Sequence, residues 1–433
     1  MSLFPVGEVS AAPTAFIRDT EVENTIRGYA TPIFLAAGLD PTAVRIYLVN
    51  DKQINAFVAG GQNLFINTGL LMQSEDAGQV IGIIAHEAGH IAGGHLVRVQ
   101  DALSRGTAES ILSMVLGTAA AVAGAPQVGA AVISGGQNVA LRNYLHYTQT
   151  QEGSADAAAM RFLDATHQSA RGLLDFFHLL SGQELLIAVH QDPYLRTHPL
   201  TEDRIQALEA FVAKSPYSDV PVRPSFQAQH RRMLAKLHAF LDDPVITRRR
   251  YPDSDQSLEA RYAHAIVEHR QAHTSQAITI IDQLISEHPD DPYFYELKGQ
   301  ILFESGQPVS ALEPYEKAVA ILPDAPLIRV DLARVQMATN DAKLLPSAIE
   351  NLQTSLRQEP NRPFVWRQLA IALGRNGQMG ESSLALAEES MLLNKLPEAK
   401  FHAGKAVRDL PAGSPAWLKA EDILQVAENA KPQ

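Results

Sequence analysis

The chain has 433 residues, 46% apolar and 19% charged, which is more than one compact core organises and too apolar for extensive disorder, so at least two folded domains are expected. A net charge of -12 gives no basic footprint for nucleic acid, and the one dense basic run, Arg248 to Arg250, is too short to make one and reads as a solvated linker. Cysteine is absent, which removes disulfides, thiolate nucleophiles and thiolate metal sites and leaves His and carboxylates as the available metal ligands.

The opening MSLFPVGEVSAAPTA has neither a basic n-region nor a continuous apolar h-region, and no signal peptide is expected in the sequence as given. From Asp19 to Ala37 apolar residues recur at helical spacing. RIYLVN, INAFVAG and NLFINTG are then short β-rich runs broken by Asp51-Lys52 and Gly60-Gly61, the pattern of a small antiparallel meander between Arg45 and Asn67. Helical patterning resumes at Gly69, with helices expected over 76–95 and 148–165. Between them, 111–133 runs for twenty-three residues without a charge. That length can span a bilayer, but the Ala/Gly richness and the Gly124-Ala125-Pro126 break fit two short helices. A buried hairpin near the site, a lid that touches a membrane through 107–141, and a true span all remain open.

The proline-rich stretch 215–257, around a helix expected over 227–241, reads as a junction, which divides the chain into 1–250 and 251–433. Beyond it the sequence repeats. Ala265, Ala277, Leu284 and Pro289 lie thirty-four residues before Gly299, Ala311, Ala318 and Pro323, the period of tetratricopeptide helix pairs. Tyr295, Leu297 and Tyr315 fall at that repeat's large positions, while its small positions let paired helices approach closely. A third unit follows with Ala333, Ala348 and Pro360, and a fourth begins at Pro363 with Trp366 and Ala370. An overlapping start at Gly380 implies that one helix serves two units. About four repeats from Leu258 are expected.

The chemistry concentrates in His86-Glu87-Ala88-Gly89-His90. On a helix His86 and His90 stand one turn apart on one face, so both imidazoles can reach one ion, with Glu87 beside them. The apolar run AGQVIGIIA before them makes a rigid buried support. Catalytic zinc takes a third protein ligand. The metzincin spacing is excluded, because Gly93 fits it but Leu96 stands where its third His belongs. His95 lies about 140° around the helix from His90 and cannot complete the site without breaking the helix, so it is expected behind the ligands or at the surface. The other common arrangement takes a glutamate from a later antiparallel helix, and Gln151-Glu152-Gly153-Ser154-Ala155-Asp156 opens one. Glu152 is the expected third ligand, and Asp156, one turn on, can accept the outer N–H of a ligand His.

HEAGHIAGGH, the downstream QEGSAD, and Thr197-His198-Pro199 followed by Arg204 resemble the zinc peptidases that include HtpX and the CAAX prenyl proteases. The layout is most similar to the soluble periplasmic BepA type, which joins such a peptidase domain to a C-terminal tetratricopeptide array, and the resemblance covers almost the whole chain. It implies a mainly α protein, with an α+β gluzincin-like zincin domain carrying the small β-meander, followed by an α-solenoid. It implies one Zn2+ held by His86, His90 and Glu152, with Glu87 as general base and roles for His198 and Arg204 around the substrate. His198 would be a fourth, inhibitory ligand in a resting enzyme. INAFVAGG is similar to the family's Asn-Ala-Phe strand and places Asn55 near the cleft.

A substrate peptide is expected to add as a strand along Asn63, Phe65 and Asn67, since main-chain pairing is sequence-tolerant. The function expected is hydrolysis of misfolded or stalled envelope proteins in the periplasm, with the repeats docking clients or an outer-membrane assembly machine. The competing expectations are a chaperone-like adaptor with latent activity and a membrane-integral protease of the HtpX kind.

Overall fold

The computed structural model describes residues 16–95, 149–182 and 193–429, and the segments 107–141 and 111–133 lie outside the described residues. The chain divides into two compact units between His238 and Ala239.

In the first unit, β1 (Phe16–Ile17) leads into α1 (Thr20–Ala36), followed by β2 (Arg45–Val49), β3 (Ala56–Ala59) and β4 (Asn63–Asn67). The sheet order is β1-β2-β4-β3, and β2 pairs parallel with β4, so the expected antiparallel meander is corrected to a mixed sheet. The cause is local. The Asp51 carbonyl accepts Gly69 N–H at 2.7 Å and the Thr68 hydroxyl at 3.0 Å, and a Cβ on Gly69 would lie 2.2 Å from the Lys52 carbonyl oxygen. The segment after β2 is thus pinned beyond the end of β4, and the chain re-enters on β4's far side as β3. Stacked rings run across the strands, Phe57 on Phe65 at 4.9 Å and Tyr47 on Phe65 at 5.1 Å, which fixes the register on that face.

After α2 (Thr68–Gln73), Asp76 caps α3 (Ala77–Ala92) by accepting Gln79 N–H at 3.0 Å. Nearly every residue of α3 from Ala77 to His90 is buried, so it is the unit's central helix. Around it lie α4 (Gln149–Ala165), α5 (Arg171–Ser181), α6 (Pro193–Thr197), α7 (Glu202–Val212) and α8 (Pro224–Leu241). Glycines on α3 set how closely these come. A Cβ on Gly82 would sit 2.8 Å from the Leu173 backbone in α5, and one on Gly89 would sit 2.7 Å from the Ala155 carbonyl in α4. Gly89→Ala is therefore expected to push α4 away and lower metal affinity roughly tenfold, the scale seen when the support behind metal ligands is disturbed. A metal titration of the variant that matches the parent would contradict this.

The second unit starts within α8 and continues through α9 (Pro244–Arg250), which contains the basic run. Arg248 is not a solvated linker residue: its guanidinium pairs with Glu268 at 2.5 Å and Asp253 at 3.3 Å. Five helix pairs follow: α10 (Leu258–Arg270) with α11 (Thr274–Glu287), α12 (Pro292–Glu304) with α13 (Pro308–Ile321), α14 (Pro326–Ala338) with α15 (Leu345–Gln358), α16 (Pro363–Arg375) with α17 (Met379–Leu392), and α18 (Leu396–Asp409) with α19 (Pro415–Asn429).

The tetratricopeptide logic is visible at Gly299, where a Cβ would lie 2.5 Å from the Tyr315 ring, so the small residue of α12 receives the large one of α13. The expectation of about four repeats is corrected to five pairs. The overlapping signal at Gly380 arises because α17 packs on both α16 and α18, as an interior helix of a solenoid must, and a Cβ on Gly380 would meet the Leu410 side chain at 2.8 Å. Among the described residues no helix is long and apolar enough to cross a membrane.

Candidate metal centre

His86 and His90 project from α3 with their Nε2 atoms 3.1 Å apart. Across from them α4 brings Glu152, whose carboxylate oxygens lie 3.4 Å from His86 Nε2 and 3.3 Å from His90 Nε2. His198, just after α6, adds Nδ1 at 3.1 Å from Glu152 Oε1. One donor atom from each of these residues falls within 4.8 Å of the others, and all four side chains are buried. Ligands held about 2.0–2.1 Å from a tetrahedral zinc are separated by about 3.3–3.4 Å, so the closest separations match the edges of such a site.

The groups behind the cluster hold it in place. His86 Nδ1 lies 2.8 Å from Asp156 Oδ1, which fixes the proton on Nδ1 and turns the Nε2 lone pair to the centre. Arg204 Nε donates to Asp156 Oδ2 at 2.6 Å, Nη2 to Oδ1 at 3.0 Å, and Nη1 to the Pro199 carbonyl at 2.7 Å. Nη1 also lies 2.8 Å from Glu152 Oε2, and the guanidinium stands over the Phe177 ring at 4.9 Å. One arginine thus joins both α4 carboxylates to the loop that carries His198. His90 Nδ1 meets His95 Nδ1 at 3.0 Å. The helix does break before His95. It ends at Ala92, Gly94 takes a φ of 63°, and a Cβ on Gly93 would stand 2.6 Å from the His95 ring.

Glu87 is buried, and neither of its oxygens makes a hydrogen bond, although His198 Nε2 stands 3.5 Å away. Among the described residues the site buries three carboxylates, Glu87, Glu152 and Asp156, against the one guanidinium of Arg204, so their full ionisation leaves two negative charges for a divalent cation to balance. The ionisable groups answer that imbalance. Burial lowers the His86 pKa, but hydrogen bonds to Asp156 and Glu152 outweigh it and raise the value to about 9. His90 is pushed down by burial. Burial raises Glu87. Burial also acts upward on Glu152 and Asp156, but the histidines hold Glu152 below the ordinary range, and His86 with Arg204 does the same for Asp156. A donor set of imidazoles and carboxylates that converges without thiolates fits zinc.

The structure separates the other expected residues. Asn63 turns its amide to the Gly60 and Ala59 carbonyls at 2.7 and 3.2 Å, Asn67 donates to the Gln53 carbonyl at 3.2 Å, and Phe65 is locked in the ring stack. Their strand, β4, is paired on both sides, which corrects the expectation that substrate adds along it. Among the described residues the edge strands are β1 and β3, and Asn55 precedes β3, buried, with its Oδ1 unpartnered. Sequence reasoning missed Tyr194, whose ring stacks on His198 with centroids 4.6 Å apart; the available signal was its place four residues before His198 in DPYLRTHP.

Residues 17–212 match the sequence profile of peptidase family M48. These residues are an M48 peptidase domain, and the chain is a metallopeptidase. It is similar to the beta-barrel assembly-enhancing protease of Yersinia pestis, 24% identical over 367 residues that cover 83% of this chain and 73% of that protein. A putative beta-barrel assembly-enhancing protease of Vibrio cholerae is 24% identical over 378 residues, covering 86% of this chain and 77% of that one. Among solved structures, YrrB, described as a TPR protein with an unusual peptide-binding site, shares 15% identity over 41% of this chain and 91% of its own, with a TM-score of 0.34.

Proposed function

We propose that the chain is a periplasmic zinc endopeptidase acting on misfolded or stalled envelope proteins, with the repeat unit engaging clients or the outer-membrane assembly machinery. The observation that carries the catalytic part is the convergence of His86, His90 and Glu152 beside a buried Glu87 carboxylate that makes no hydrogen bond. The relatives named for β-barrel assembly support the setting.

His86, His90 and Glu152 would hold the ion, and zinc bound there supplies a Lewis acid that brings the pKa of a water to about 7. Glu87 takes the proton from the attacking water and delivers it to the leaving amine. Asp156 keeps His86 in the ligating tautomer, and Arg204 keeps Asp156 and Glu152 in register. The scissile peptide lies extended along the β3 edge, near the unpartnered Asn55 Oδ1. His198 serves the resting state. It is 0% exposed and stands between Glu152 and Glu87, so substrate entry requires it to move.

This enclosure also favours the second reading, an adaptor whose activity is latent. The two separate in cells: retention of the envelope phenotype by a Glu87→Gln chain supports the adaptor, and its loss supports the peptidase. The membrane-integral reading depends on 111–133, outside the described residues.

Metal binding should depend on pH in a defined direction. With its metal-free pKa at about 9, His86 carries a proton that zinc must displace at neutral pH, whereas His90 is already neutral and Glu152 already ionised. Apparent zinc affinity should therefore rise by up to about tenfold per pH unit toward pH 9, with about one proton released per ion. Calorimetry in buffers of different ionisation enthalpy measures that proton directly. A pH-independent affinity would exclude this arrangement of charges.

A further inference from the structure

Tyr194 lies on the short helix α6, one turn before His198, whose N–H donates to the Tyr194 carbonyl at 2.7 Å. Its ring is stacked on the His198 imidazole with 28° between the planes, and its edge meets Phe176 at 5.5 Å. The residue is 1% exposed, and its hydroxyl has no hydrogen-bond partner. A buried phenol ordinarily finds a partner, so an unmade bond at the rim of a catalytic cluster calls for an explanation. Packing does not provide one, since a phenylalanine would fill the same slot without stranding a donor.

Two observations locate Tyr194 relative to the cluster and the sheet. Its ring lies against His198 of the cluster, and the charged groups near enough to act on it are Glu152 and the surrounding Glu87, Asp156 and Arg204. The Tyr194 N–H donates to the Ile54 carbonyl at 3.3 Å, which ties the residue to the strand segment that continues through Asn55 into the β3 edge. Tyr194 thus stands between the histidine over the metal cluster and the edge along which a peptide would lie. A phenol ordinarily loses its proton only at about pH 10, so it is a donor throughout the neutral range.

We propose that Tyr194 is a catalytic residue whose phenol O–H donates a hydrogen bond to the scissile carbonyl oxygen as that oxygen gains negative charge. This rests on the peptidase reading above. The hydroxyl is left unbonded in the closed protein because its partner arrives with the substrate, once His198 has moved. The proton stays on the phenol throughout, so the contribution is electrostatic stabilisation of the oxyanion and comes mostly in the transition state.

The test is Tyr194→Phe in the full zinc-loaded chain, which keeps the ring and removes only the hydroxyl. The expected result is unchanged zinc content, a Tm equal to or above the parent's, kcat lower by about a hundredfold and KM within about threefold. Affinity for a phosphinic peptide, which presents a charged tetrahedral oxyanion, should fall by a factor similar to kcat. Values of kcat and phosphinate affinity within twofold of the parent would overturn the assignment. So would a loss of activity accompanied by loss of zinc, because the hydroxyl would then be supporting the centre and not the substrate. If zinc-loaded parent protein cleaves no peptide, the peptidase reading fails and the assignment falls with it; a parent that cleaves and a Phe variant that matches it overturn the assignment alone.

Discussion

Glu87→Gln should abolish peptide hydrolysis, by at least about a thousandfold in kcat, while the protein keeps its fold and its metal. The amide is nearly isosteric with the carboxylate, and neither Glu87 oxygen makes a hydrogen bond that the change would break. It removes the group proposed to accept the water proton, and it removes one of the buried carboxylates. Because burial already disfavours the ionised form of Glu87, the neutral variant should be at least as stable as the parent, with a Tm equal or higher. Activity and stability therefore move in opposite directions, a signature that general disruption of the site does not produce. Steady-state hydrolysis of an unfolded protein substrate, read beside zinc content and a melting curve, tests both. Retained cleavage at more than a few per cent would remove Glu87 from the mechanism.

Arg204→Ala should produce the largest stability loss of any single change at the centre, about 3–5 kcal/mol in the metal-free protein. The reason is the state left behind. Asp156 and Glu152 are both buried, and the guanidinium within 2.6–3.0 Å is the fixed positive charge facing them. At roughly 2–4 °C per kcal/mol for a unit of this size, the melting transition of the peptidase unit should fall by about 10 °C. Zinc should offset part of the loss, since the ion then balances Glu152.

The sign with pH follows from Asp156, whose folded pKa is held below its unfolded value. Its contribution is fully present above about pH 4 and is lost as pH falls through the folded value, so parent and variant should converge in acid. Lysine should rescue only part, because it cannot span both Asp156 oxygens and the Pro199 carbonyl as the guanidinium does. Equal melting temperatures for parent and Arg204→Ala across pH 5–8 would show that the buried pair carries no stability.

The parts of the site written in local periodicity were legible in the sequence. His86 and His90 share a helix face because of their four-residue spacing, and Glu152 and Asp156 share one for the same reason, so each pair was readable within its own helix. The thirty-four-residue period of the repeats was readable because close helix packing requires small residues such as Gly299 opposite large ones such as Tyr315. What escaped depends on where the chain goes between elements. The β-rich runs gave three strands but not their order, since the contact of Asp51 with Gly69 that carries β3 past β4 leaves no periodic trace. Asn63 and Asn67 looked like substrate contacts and instead hold turn and loop carbonyls. His95 was expected behind the ligands or at the surface and does lie behind His90, but the turn at Gly93 and Gly94 that ends the helix and folds its ring there was not foreseen. Tyr194 could be suspected only from its place four residues before His198, because an unsatisfied hydroxyl is a property of the packed interior and not of spacing.

The central claim, that His86, His90 and Glu152 hold one catalytic zinc, is tested most directly by zinc stoichiometry and X-ray absorption at the zinc edge on the purified full chain. The prediction is one zinc per chain with nitrogen and oxygen neighbours only, at about 2.0–2.2 Å, and loss of the ion in both His86→Ala and Glu152→Ala. A metal-free protein whose peptide hydrolysis is untouched by chelators, or a zinc that survives both substitutions, would contradict it.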